Sequence, residues 1–210
     1  MRRFSKLSII LSHEGPEDSI FNPIAVEMTN GTRSIEIADF QTALNILPQG
    51  SEVVVIASGT VGNKTMHNIA RIIKENLVYV HLDLSAVTEL SKIFDSPFQG
   101  NTNLRSIIFP KNLESISPTA FAGCTSLRYV IIPSTVNKIG INAFLNCNSL
   151  TNLEFKDPYG WYCKSKEDDI PIVNVAHPEQ NPIHFSSRKG KFYGCYLYKP
   201  LNLQSVKEIC

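Results

Sequence analysis

One phase runs through the middle of this chain without drifting. Leucine recurs at positions 104, 127 and 150 and phenylalanine at 98, 121 and 144, in both cases every 23 residues. Between those markers two segments align without a gap. Leu104-Arg105-Ser106-Ile107-Ile108-Phe109-Pro110 runs through Leu113 and Ile116 to Ala120-Phe121-Ala122-Gly123-Cys124. Leu127-Arg128-Tyr129-Val130-Ile131-Ile132-Pro133 runs through Val136 and Ile139 to Ala143-Phe144-Leu145-Asn146-Cys147, and a third unit opens at Leu150 and continues to Phe155. A fixed period of this length means stacked structural units, each too small to bury its own apolar side.

The spacing dictates the shape of each unit. In Leu104, Ile107 and Phe109 the first, fourth and sixth residues are apolar. A short strand turns residues four and six inward by its alternation, while the leucine enters the core from the preceding turn. Pro110 and Pro133 end the strands, since proline cannot donate to a ladder. Leu113 and Ile116, with Val136 and Ile139, supply the return wall, and the Ala-Phe pairs close the coil. Asn101, Cys124 and Cys147 share one position, where a small internal side chain donating weakly to a turn carbonyl is expected and free thiols are favoured over a 124–147 disulfide.

The pattern loosens toward the N-terminus. Leu77-Val78-Tyr79-Val80-His81-Leu82 keeps the strand pattern and Phe98-Gln99-Gly100-Asn101 the closing turn, in a unit of 27 residues whose four extra residues are expected around Ser91 to Pro97. Val53 to Ile56 reads as a buried strand. Met66, Ile69, Ala70 and Ile73 recur at helical spacing over Thr65 to Lys74, the expected back wall of the first unit. Asp39 to Leu47 predicts a further helix capped by Asp39, with Phe40, Ala43, Leu44 and Leu47 inward. After the repeats, Asp157-Pro158-Tyr159-Gly160 signals a turn, and Phe192 to Tyr198 reads as an aromatic strand. The expected organisation is an extension over 1–32, a cap over 33–76, repeats over 77–155, a C-terminal cap module over 156–200 and a tail over 201–210. The fold class is an α/β solenoid with short parallel strands on the concave face and a mostly irregular or short-helical back wall, capped at both ends.

Composition narrows the function. The chain has 210 residues, 43% hydrophobic and 19% charged, with a formal net charge of +1. That balance is globular and argues against a nucleic-acid partner, which needs concentrated Lys and Arg. No apolar run is long enough to span a membrane. Met1-Arg2-Arg3 carries the charge of an export signal, but the apolar stretch over Leu7 to Leu11 is short for one. Ser58 to Thr65 imitates a phosphate loop without its first glycine. His177, His184 and Glu167-Asp168-Asp169 have no metal-ligand spacing. No enzyme, cofactor or metal site is expected, and a Cys163–Cys195 disulfide is one open possibility.

The motif Leu-x-x-Ile-x-Phe-Pro followed by Ala120-Phe121-Ala122-Gly123-Cys124-Thr125-Ser126-Leu127 resembles the BspA-like leucine-rich repeats of bacteria and some protists. Gly50 to Leu84 resembles the capping unit of spirochaete and gut-bacterial forms, and the segment from Gly160-Trp161-Tyr162 to Tyr196-Leu197-Tyr198-Lys199 resembles their C-terminal module. The resemblance implies a non-enzymatic scaffold, secreted or displayed at the cell surface, that adheres to host or neighbouring-cell proteins; cytoplasmic location is the alternative.

The partner face follows from strand position. Residues two, three and five of each strand face the concave sheet or its edge: Val78, Tyr79, His81; Arg105, Ser106, Ile108; Arg128, Tyr129, Ile131; Thr151, Asn152, Glu154. Ile108 and Ile131, aligned with His81 and Glu154, are expected to form an apolar strip rimmed by Tyr79, Tyr129, Arg105 and Arg128, with Asn152 beside it. Tyr and Arg are enriched at binding hot spots. A protein partner is the leading expectation. The alternatives are a structural or self-assembling role, and glycan stacking on Trp161, Tyr193, Tyr196 or Tyr198.

Overall fold

The computed structural model describes residues 6–11, 34, 35, 37–164, 169–172, 179–188 and 194–199. In chain order the elements are β1 (Lys6–Leu11), β2 (Ser34–Ile35), α1 (Ile37–Asn45), β3 (Glu52–Thr60), α2 (Asn63–Glu75), β4 (Tyr79–Thr88), β5 (Lys92–Ile93), β6 (Leu104–Ile108), β7 (Ser115–Ile116), β8 (Tyr129–Ile132), β9 (Lys138–Ile139), β10 (Asn152–Phe155), β11 (Trp161–Lys164), β12 (Asp169–Ile172), α3 (Asn181–Phe185) and β13 (Tyr196–Tyr198).

Two sheets form the walls of a leucine-rich-repeat solenoid. The concave sheet runs β10-β8-β6-β4-β3-β1-β2, and the back sheet runs β12-β11-β13-β9-β7-β5. From β3 to β10 the concave strands are parallel, one per coil, because each coil returns to the same side before the next begins. At one end β1 lies antiparallel along β3 from Lys6↔Ser58 to Leu11↔Val53. The back wall of each repeat is a two-residue strand whose isoleucine, Ile93, Ile116 or Ile139, is buried.

The core is one column. Phe121 stacks between Phe98 at 5.3 Å and Phe144 at 5.4 Å, and takes the edge of Phe109 at 5.8 Å. Such stacked pairs add stability beyond their buried area. Each coil turns at two left-handed corners. One falls at Ser96, Thr119 and Asn142 (φ 52, 52 and 56) and the other at Gly100, Gly123 and Asn146 (φ 67, 77 and 60). At the second corner glycine is the natural occupant, since a Cβ there is strained, and Gly140 is needed for closeness: an added Cβ would meet Pro118 N at 2.1 Å.

The shared small-residue position behaves as its chemistry requires. The Cys124 thiol donates to Phe98 O at 3.0 Å and the Cys147 thiol to Phe121 O at 3.1 Å; both cysteines are free and buried. In the unit before them Asn101 Nδ2 donates to Ala70 O of α2 at 2.9 Å. Asn103 Nδ2 lies close by and donates to Ile73 O at 3.0 Å and Asn76 O at 2.6 Å, so a neighbouring coil satisfies carbonyls at the C-terminal end of that helix.

Several expectations need correction. The helix α1 begins at Ile37, so Asp39 lies inside it rather than capping it; Phe40 and Leu44 are its buried residues. The strand β4 is displaced by two residues from the expected alignment. Leu77 stands 64% exposed and Val78 is buried, while Val80 pairs with Leu104, His81 with Ser106 and Leu82 with Ile107. The cause is the two-residue period of a strand: Val78, Val80, Leu82 and Leu84 satisfy the core in either phase. The true insertion is therefore two residues, since Leu82 and Ile107 are 25 apart where Ile107 and Val130 are 23 apart. It lies before Ile93, where β4 runs on beside β3 to Thr88, and not at Ser91 to Pro97.

Beyond β10 the chain supplies what a next coil would supply. Gly100 N and Gly123 N donate to Ala122 O and Leu145 O of the following coil, and Asn146 N donates instead to Ser186 O at 2.7 Å. Asn181 Nδ2 donates to Leu153 O at 2.7 Å, and Gly194 N donates to Asn142 Oδ1 at 2.9 Å. Phe155 is closed over by Phe185 at 5.7 Å and Trp161 at 5.3 Å. Trp161 is 1% exposed and its Nε1 donates to Asp157 O, so its ring is not open to a sugar. A disulfide joins Cys163 to Cys195. Tyr193, His177, Glu167 and Asp168 lie outside the described residues.

Candidate protein-binding face

The concave sheet aligns its outward side chains in rows. One row runs Val54, His81, Ser106, Tyr129, Asn152. The next holds Ile56, Asp83 and Ile108, with Ile131 opposite Glu154. His81 therefore does not lie in line with Ile108 and Ile131, as the sequence suggested; the two-residue displacement of β4 moves it one row across, opposite Ser106, and sets Asp83 opposite Ile108. The apolar strip is a pair of half-buried isoleucines, with Asp83 beyond one and Glu154 beyond the other.

Two polar networks hold the rest of the face. At the first, Glu52 is the hub. Its Oε1 lies 3.2 Å from Arg105 Nε, an ion-pair distance without hydrogen-bond alignment, and its Oε2 lies 3.2 Å from His81 Nε2. The Arg105 guanidinium sits 3.7 Å above the centre of the Tyr79 ring, a cation–π contact. His81 Nδ1 is 2.8 Å from Ser106 Oγ. Burial pushes the His81 pKa down, against the raising effect of Glu52 and with a smaller lowering effect from Arg105 and Arg128. In the neutral ring Nε2–H donates to the Glu52 carboxylate, which can only accept, and the Ser106 hydroxyl donates to Nδ1.

At the second network Tyr129 OH donates to Glu154 Oε2 at 3.0 Å, and Lys156 Nζ donates to Glu154 Oε1 at 2.6 Å. The Lys156 ammonium holds the Glu154 carboxyl below its ordinary pKa, with help from Tyr129. Burial and the neighbouring carboxylate push the Tyr129 phenol up to about 12. Arg128 is exposed at the rim, and the Asn152 Oδ1, buried beside Tyr129, has no hydrogen-bond partner among the described residues.

Of the nine expected residues, the structure gathers Tyr79, His81 and Arg105 into one network and Tyr129 and Glu154 into the other. Ile108 and Ile131 lie between carboxylates, Asn152 lies beside Tyr129, and Arg128 stands at the edge. Sequence reasoning missed Glu52, Asp83 and Lys156. Glu52 had a readable signal: it alternates with Val54 and Ile56, so a strand starting one residue earlier places it on this face.

Glu52, His81 and Ser106 follow the order of a hydrolase relay, but the strand ladder around Ser106 does not complete one. Ser106 sits within a parallel ladder, paired with His81 on one side and Tyr129 on the other. Its flanking amides are committed to that ladder, so they form no oxyanion hole. The two described free thiols are held protonated: burial pushes Cys124 up to about 12 and Cys147 well above its ordinary value. Among the described residues no three His, Cys, Asp or Glu side chains group to hold a metal, and no helix is long and apolar enough to cross a membrane.

Residues 76–162 match the family described as BspA type leucine rich repeat region (6 copies). This stretch is a leucine-rich-repeat region. Its limits take in β4 to the start of β11, and so the coils of 23-residue period. No curated protein matches the chain. The leucine-rich-repeat architecture makes the chain a non-catalytic, protein-binding type of scaffold.

Proposed function

We propose that the concave face binds a folded protein partner at the cell surface or outside the cell, in an adhesive role, with 33–76 and 156–200 serving as end caps. The carrying observation is the preorganisation of the face. Arg105 is fixed on Tyr79 and Glu52, and Tyr129 is fixed on Glu154, beside two half-exposed isoleucines. Side chains already held in place lose little freedom on binding, and aromatic and Arg anchors around a small apolar centre are typical of interface hot spots. The Cys163–Cys195 disulfide supports a location outside a reducing cytoplasm.

The test is capture from surface extracts of neighbouring or host cells with the wild-type chain and with a Tyr129→Asp, Ile131→Asp variant. A partner held by the wild type and lost by the folded variant supports the reading; equal capture by both sinks it. Light scattering on the purified chain separates self-assembly, which would appear as a multiple of the 23.4 kDa mass.

A further inference from the structure

The back sheet has an outer face that the concave reading does not use. Its strands alternate strictly. Ile93, Ile116, Ile139, Leu197, Trp161 and Cys163 point into the core, and the intervening residues point out. Register then sets an outward row: Lys92 opposite Ser115, Ser115 opposite Lys138, Lys138 opposite Tyr198, and Tyr198 opposite Tyr162. Alongside it, Tyr196 stands opposite Lys164.

The C-terminal segment continues this face rather than only closing the stack, because β13 joins the sheet at β9 and β11 follows it. The rings cluster at that end. Tyr162 and Tyr198 lie 5.7 Å apart, and Tyr196 and Tyr198 lie 6.2 Å apart with planes within 15°. All three are half-buried and form one aromatic cluster at that end of the sheet. Lys92, Lys138 and Lys164 are exposed and have no ion-pair partner among the described residues; Lys92 lies 5.8 Å from the centre of the Phe94 ring, which is 46% exposed. Two acidic residues border this face: Glu114 is exposed beside Ser115, and Asp169 stands opposite Lys164 in the β11–β12 pair, so Lys92 and Lys138 carry the charge argument.

We infer that the outer face of the back sheet, from Lys92 through Lys138 to the Tyr162–Tyr196–Tyr198 cluster, is a binding surface for an anionic polysaccharide. Flat tyrosine faces suit the C–H face of a pyranose ring, and the lysines suit its carboxylate or sulfate. Lys92 and Lys138 are two strands apart, about 10 Å at the normal strand spacing, which is the scale on which acidic groups recur along alternate sugars of such a chain. A nucleic acid fits less well: the net charge is only +1, and a few lysines along one row are a small basic surface for a phosphate backbone. The surface is distinct from the concave face, so either reading stands if the other fails.

The experiment is calorimetric titration of the intact chain with polygalacturonate and with chondroitin sulfate, with neutral dextran, poly-glutamate and oligo-dT as comparison arms. The two anionic glycans, one carboxylated and one also sulfated, separate the sources of charge. The expected result is binding of at least one of them, at least tenfold tighter than dextran or poly-glutamate. Affinity should fall at least tenfold in Lys92→Gln, Lys138→Gln and also in Tyr196→Ser, Tyr198→Ser, with Tyr129→Asp, Ile131→Asp unchanged. As Tyr198 sits in a strand, the milder Tyr196→Ser alone, checked for an unaltered melting curve, is the second aromatic variant. Equal binding of poly-glutamate or oligo-dT, loss only with the lysine variants, or no glycan binding would each overturn the proposal.

Discussion

In the regular coils the thiols of Cys124 and Cys147 reach a carbonyl of the coil before them; in the preceding unit the same position is Asn101, and its amide reaches Ala70 of α2. Two residues on, Ser126 and Ser149 of the regular coils give way to Asn103, which bonds three carbonyls at the end of that helix. A coil stacked on a coil finds its acceptor close by, and a short side chain suffices. A coil stacked on a helix must reach farther. The pair of asparagines is thus the chemistry of a junction, and the period weakens there because the neighbour has changed, not because the fold has.

That contrast can be broken at the column of rings. Phe121→Ala removes the ring held on both faces and should cost about 3–5 kcal/mol in urea unfolding. Phe98→Ala, at the junction end with one stacked ring, should cost less; equal or greater loss would deny that the regular coils are the stronger packed. Gly140→Ala tests the closeness of two coils against backbone, and should cost about 1–3 kcal/mol or more by overpacking. A neutral result would mean that the contact with Pro118 relaxes freely.

The junction itself is probed by Asn101→Cys, which gives the first unit the residue of the regular coils. The thiol should fail to reach Ala70 O and leave a buried acceptor unpaired, a loss of about 1–3 kcal/mol. Retained stability would show that the helix needs no longer side chain. Smaller effects belong to the concave face. Tyr129→Phe removes one hydrogen bond to Glu154 in a regular coil and should cost about 1 kcal/mol. In the looser unit His81 is the pH probe. Its folded pKa lies below the ordinary 6.5, so the unfolded chain takes up a proton first and stability falls as pH drops below that value, until the folded pKa is passed. Melting curves of His81→Gln should be flatter than wild type across that window; parallel curves would place His81 in contact with water.

The same contrast explains what was legible from residues alone. The regular coils were readable because every apolar position repeats, and no phase other than 23 buries Leu104, Ile107, Phe109 and Phe121 together. The strand β4 was misplaced because Val78, Val80, Leu82 and Leu84 alternate without a marker, so the motif at Leu77 looked complete while that leucine stands in solvent. The concave residues were found by type and not by alignment, because the same two-residue displacement of β4 carries His81 away from Ile108 to Ser106. Glu52 was hidden as the charged first residue of an apolar run, yet it holds two of the expected residues, His81 and Arg105. The hydrogen bonds that let 179–188 and 194–199 take the place of another coil are made largely by backbone groups and two asparagines, which no apolar pattern announces.

The most direct test of the central claim sets the two faces of the solenoid against each other in one capture measurement. Wild type, the concave variant Tyr129→Asp, Ile131→Asp, and the outer-face variant Lys92→Gln, Lys138→Gln are offered the same extract after matching melting curves confirm folding. The account predicts that a protein partner is retained by wild type and the outer-face variant and lost from the concave variant. Retention by the concave variant, with loss from the outer-face variant, would contradict it.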